Sequence, residues 1–312
     1  MPDLWLLTYS FIAAAVCAAV GCIATCLRGH SPNRVRASGL HLQVLCGFVV
    51  GIVAGLAVQG VVPAVPPVTG LDRWLLIGFP LLLSADAFGA RWLSIPSSGL
   101  LRLSAAAVAA PIILYGSIHF EAVPAVPLLP GLTAGGLFTV IAAGCLLVTM
   151  TALNDHSATE PPLLAAAFVV LTLQVAAATV MLGGWIRGGA AALPFAGSCT
   201  GILLASPGLR NPLAAVLVIR WGVWSLCGVV LLGHFFGRLS VLQSLLLLAA
   251  AVTGPLLTLP TRGIAVRFRA TIRCILTLLL LALVLIPAIL QFLTRMKPLL
   301  SEWSAWTKLP GS

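Results

Sequence analysis

Two ionisable residues stand inside long apolar runs of this 312-residue chain: Asp86, in Ser84-Ala85-Asp86-Ala87-Phe88, and Arg220, in Val218-Ile219-Arg220-Trp221. A charge held among apolar side chains in lipid costs a few kcal/mol, so such residues pair or line a wet cavity, and they mark solute or proton pathways. The carboxylate offers a proton-coupling group. The guanidinium offers a rigid fork for an anionic solute. Arg220 lies eight residues beyond Pro212, about 12 Å along a helix. Asp86 sits past the middle of its run, toward Arg91, so both fall in the same half of a bilayer. This spacing predicts a buried ion pair between the third and eighth apolar runs. The competing arrangement bonds Asp86 to Arg91 and lets Arg220 extend to the headgroups.

A second candidate region is Gly197-Ser198-Cys199-Thr200-Gly201, with Pro194 just upstream. Small polar residues and a proline are the marks of a broken membrane helix, whose exposed backbone and half-helix dipoles contact solutes in transporters. Ser198 and Thr200 are then the substrate-contact candidates. The same composition also suits close helix packing with no ligand. A serine nucleophile at 198 would need an activating imidazole, and no histidine is placed to supply one.

Asn154-Asp155-His156 forms a polar trio at a membrane boundary, a further candidate for proton or solute contact. Adjacent side chains diverge on a helix, which points to a solvated helix end before a ligand set. The five histidines are scattered, so no metal centre is expected. The eight cysteines contain no C-x-x-C pair and read as free thiols packed like small hydrophobes. Neither a phosphate-cradling Gly-x-x-x-x-Gly-Lys loop nor a dinucleotide fingerprint occurs, and no cofactor is expected.

The elements that must carry these residues follow from composition. Hydrophobic residues make up 60% of the chain and charged residues 8%, with a mean hydropathy of +1.13. A soluble chain carries about 25% charged residues. Crossing about 30 Å of hydrocarbon takes about 20 apolar residues, and the sequence supplies about ten such runs: 4–27, 39–60, 72–90, 99–117, 132–153, 162–183, 189–206, 212–234, 241–259 and 270–294. The expected fold class is all-α, a polytopic integral membrane helix bundle. It forms a single transmembrane domain over 1–300, with a short interfacial tail over 301–312. That tail carries Trp303 and Trp306 near Lys297 and Lys308, an aromatic and basic pattern suited to the headgroup boundary.

Local signals refine the boundaries. Asn211-Pro212, Thr159 to Pro162, and Ser240 before Val241 are helix starts. Pro80, Pro111, Pro255 and Pro287 fall within runs, where each frees a backbone carbonyl that a neighbour or water must satisfy. The seventh run, 189–206, is the weakest and is expected to be broken or re-entrant. Gln43, Gln59, Gln174 and Gln243 are expected to bond across helices.

Counting Lys and Arg on alternate connections gives ten on the side holding Arg28, Arg91, Arg210 and Arg262, against six on the other. Basic residues are retained inside, so the N-terminus is expected outside. Val62-Pro63-Ala64-Val65-Pro66 recurs as Val123-Pro124-Ala125-Val126-Pro127, each followed after three intervening residues by Gly-Leu, which suggests two related hairpins.

A net charge of +10 would suit nucleic acid only if the basic residues clustered on one polar face; they are spread between apolar runs, and no nucleic-acid partner is expected. The partners implied are the lipid bilayer of the cell (cytoplasmic) membrane, an anionic small solute, and other membrane proteins. The leading expectation is a small-solute transporter or permease-like protein. The alternative is a non-catalytic membrane subunit or scaffold of a larger complex. A membrane enzyme acting on lipid-linked substrates comes third, because no catalytic constellation is visible.

Overall fold

The computed structural model describes residues 3–28, 37–93, 95–115, 162–209, 213–256 and 266–306. Among these residues the regular structure is helical throughout. The helices are α1 (Leu4–Arg28), α2 (Ala37–Val58), α3 (Gly70–Trp92), α4 (Ile95–Leu114), α5 (Leu163–Leu182), α6 (Ile186–Leu209), α7 (Leu213–Phe236), α8 (Val241–Leu256) and α9 (Val266–Trp306). Eight of the nine are long and apolar enough to cross a membrane, and α8 is shorter. The chain is a multi-pass membrane protein. Nine of the ten expected runs coincide with these helices; the fifth, 132–153, and the second copy of the Val-Pro repeat lie outside the described residues. The last helix continues past residue 300 to Trp306.

α7 is the hub, packing against α2, α3, α4, α5, α6 and α8. It is apolar apart from Arg220, Ser225 and His234, and 83% of its spanning window is buried. The equally apolar α1 and α9 are each 22% buried and turn Leu4, Val16, Leu279 and Ile286 outward. In lipid both situations suit an apolar helix, so position in the bundle is decided by polar and small residues.

The seventh expected run departs from expectation: α6 is one unbroken helix of 24 residues. Its small residues serve packing. Gly197 lets α6 approach α1 so closely that an added Cβ would stand 2.5 Å from Phe11 O, and at Gly201 it would overlap Ala15 O. Pro194 cannot donate to the carbonyl four residues back, Ala190 O. That carbonyl instead accepts a hydrogen bond at 2.9 Å from Nε2 of Gln59, the residue just past the end of α2, and the same Nε2 donates to Ser10 Oγ of α1 at 2.9 Å. Gln59 thus ties three helices together and satisfies the group that the proline frees.

Proline has another effect in α3. Pro80 lacks the N–H that would bond to Leu76 O, and the preceding turn, Trp74–Gly78, is widened to a π-helix in which Phe79 N–H donates to Trp74 O. α3 begins with a capping box: Asp72 N–H donates to Thr69 Oγ1 at 3.2 Å, and Asp72 Oδ2 accepts from Thr69 N–H at 3.1 Å. Oδ1 of the same buried carboxylate accepts from Ala64 N–H at 3.3 Å, pinning the α2–α3 connection. Ser240 and Gln243 cap α8 in the same reciprocal way, the cap that Ser240 before Val241 signals.

Candidate functional site

Four helices bring ionisable side chains to one layer. His41 is four residues from the start of α2, Asp86 six from the end of α3, Arg102 seven from the start of α4 and Arg220 seven from the start of α7. At 1.5 Å per residue these are depths of about 6 to 11 Å from one end of the bundle. Because α3 runs opposite to α2, α4 and α7, all four side chains meet.

Asp86, fully buried, is the centre. Its Oδ1 lies 2.7 Å from Arg220 Nη1, which donates a hydrogen bond, and 2.8 Å from Arg102 Nε. Oδ2 accepts from Trp221 Nε1 at 2.9 Å and lies 3.1 Å from His41 Nε2. Arg102 Nη1 also reaches Ser98 Oγ at 3.4 Å. The carboxylate therefore neutralises only one of two guanidinium groups. Among the described residues no second carboxylate reaches the two guanidinium groups, so the cluster carries an excess of positive charge, and a buried charge left without a counter-charge is costly.

The predicted meeting of Asp86 with Arg220 is present. The competing partner, Arg91, instead stands over the Trp92 ring at 4.9 Å. His41, Arg102 and Trp221 were missed by sequence reasoning. His41 and Arg102 lie near helix ends, where they read as a boundary residue and a topology signal. Depth counting, applied to them as it was to Asp86 and Arg220, places them in the same layer.

Ser198 and Thr200 are not part of this cluster. Ser198 is buried where α6 meets Gly51 of α2, and Thr200 Oγ1 donates to Ala196 O of its own helix at 2.8 Å. Asn154, Asp155 and His156 lie outside the described residues. Among the described residues no group of three His, Cys, Asp or Glu side chains is placed to hold a metal ion.

An aromatic column rises from the cluster. Trp221 stacks on Phe48 with centroids 4.9 Å apart, Phe48 meets Phe79 at 5.9 Å, and Phe79 meets Phe195 edge-on at 4.8 Å. Phe79 and Phe195 form part of the wall of a groove of about 610 Å³ between α2 and α3. Among the described residues Ser84 is the one polar side chain lining it. The groove extends along α2 from Ala57 down to Leu45 and along α3 to Ala87, and its Val53 and Leu76 are exposed on the outer surface of the bundle. Leu45 is one helical turn from His41, and Ala87 adjoins Asp86.

No protein family, curated protein or solved structure matches this chain.

Proposed function

We propose that the protein is a permease-like membrane protein that binds an anionic solute at the Arg102–Arg220 pair. The observation supporting this is the charge imbalance at Asp86: two guanidinium groups and an imidazole converge on a single buried carboxylate. Such an arrangement holds its arginines in place while unloaded and leaves a positive excess for the solute. An incoming anion competes with Asp86 for Arg220, whose side chain retains 15% exposure and so is the more accessible of the two arginines. Exchange of one carboxylate for another negative group loosens the contact between α3 and α7 and couples loading to a helix shift.

The experiment is uptake into proteoliposomes of phosphate, sulfate, succinate and a dye-labelled alkyl phosphate, comparing wild type, Arg220→Gln and protein-free vesicles. Accumulation of at least one anion in the wild type alone supports the reading. Equal leakage in all three preparations overturns it.

A further inference from the structure

The lining of the groove between α2 and α3 ends close in sequence to the cationic cluster, with Leu45 one turn from His41 on α2 and Ala87 next to Asp86 on α3. Resting on the anion-binding reading above, we propose that the solute is an anionic lipid. Its phosphate head sits at His41, Arg102 and Arg220, and its hydrocarbon tail lies in the α2–α3 groove.

Three features of the site fit this ligand. First, the described lining of the groove is apolar except for Ser84 and exposes Val49, Val53, Val62 and Leu76, so it suits a hydrocarbon chain and would hold water poorly. From Leu45 to Ala57 it follows twelve residues of helix, about 18 Å, close to the hydrocarbon depth of one leaflet. Second, its lining comes within one helical turn of the cluster on both helices: His41 lies four residues before Leu45 on α2, and Asp86, which holds the two arginines, directly precedes Ala87 on α3. Third, the cluster stands about 6 to 11 Å from the helix ends, a depth at which a headgroup meets the hydrocarbon. A small hydrophilic anion would leave the groove unused. A neutral lipid would leave the excess guanidinium charge uncompensated. A lipid whose phosphate head carries a net negative charge satisfies both.

The test is native mass spectrometry of delipidated protein in detergent, offered equal concentrations of dioleoylphosphatidic acid, dioleoylphosphatidylcholine and dioleoylglycerol. In parallel, thermal melting is recorded with and without inorganic phosphate. The expected result is about a tenfold excess of phosphatidic acid adducts over the other two lipids, the worth of one charge-assisted contact. Val53→Trp, which fills the groove, should remove the excess. Val50→Trp, on an exposed part of α2 outside the groove, should keep it. Equal retention of the three lipids, or equal effects of the two tryptophans, overturns the proposal. If phosphate raises the melting temperature while the lipids are retained equally, the lipid assignment fails and the anion site stands. If neither phosphate nor phosphatidic acid binds, the anion reading falls with it.

Discussion

Arg220 and Trp221 are consecutive in sequence, yet both donate hydrogen bonds to Asp86, the guanidinium to Oδ1 and the indole to Oδ2. Neighbours on a helix diverge by about 100°, so this is possible only because Asp86 faces the seam between them. The carboxylate is held from two sides of α7 at once, and Trp221 is fixed further by its stack on Phe48. Asp86 therefore joins charge neutralisation to core packing in one group.

The cluster is asymmetric in charge, and its variants should be asymmetric in cost. Asp86→Asn leaves two buried guanidinium groups with no carboxylate and should destabilise by about 3–5 kcal/mol. Arg220→Gln leaves Asp86 balanced by Arg102 and should cost less. Thermal unfolding in detergent gives the order directly, and the reverse order would count against the charge argument. Exchanging the two charges should give no recovery, because an arginine at position 86 would meet Arg102.

Gln59→Leu removes the donor to Ala190 O and should destabilise by about 1–3 kcal/mol, the cost of an unpaired buried carbonyl. Pro194→Ala restores an N–H to that carbonyl from within α6. In the Gln59→Leu background it should recover part of the loss, read as a positive coupling in a double-mutant cycle of melting curves. Additive effects would mean that proline and glutamine are unconnected.

Two glycines should respond in opposite directions. Gly201→Ala places a methyl against Ala15 O and should cost about 1–3 kcal/mol through overpacking between α1 and α6. Gly99→Ala, in α4 with open space around it, should be neutral or stabilise by up to about 1 kcal/mol. Melting temperatures of the two variants provide the comparison.

Asp72→Ala breaks the cap of α3 and its hold on the α2–α3 connection. A loss of about 0.5–2 kcal/mol is expected. Hydrogen exchange should accelerate at Ala64 and Thr69, whose amides lose their acceptor, with little change in α7. Unchanged protection at both amides would contradict the role given to the carboxylate.

Much of this fold is legible as hydropathy, because lipid demands helices of nearly fixed length. The Asp86–Arg220 pairing is legible too, since depth along a rod follows from residue count. His41 and Arg102 escape for a physical reason: near a helix end, a cation serving a site has the same sequence appearance as one serving topology. The continuity of α6 is hidden differently. Gly197, Gly201 and Pro194 look like interruptions in one dimension, and become packing and a satisfied carbonyl only once Phe11, Ala15 and Gln59 stand beside them. Nor does hydropathy separate the buried α7 from the peripheral α9, as either lipid or protein satisfies an apolar helix.

The widened turn at Trp74–Gly78 sets the rotational phase of everything after it in α3. One residue fewer in that turn would swing the remainder of the rod by about 100° about its axis. The carboxylate would then leave the seam between Arg220 and Trp221, although composition, length and hydropathy would hardly change. A chain that kept every charged residue but lost this local irregularity would have the ingredients of the cluster without the cluster itself.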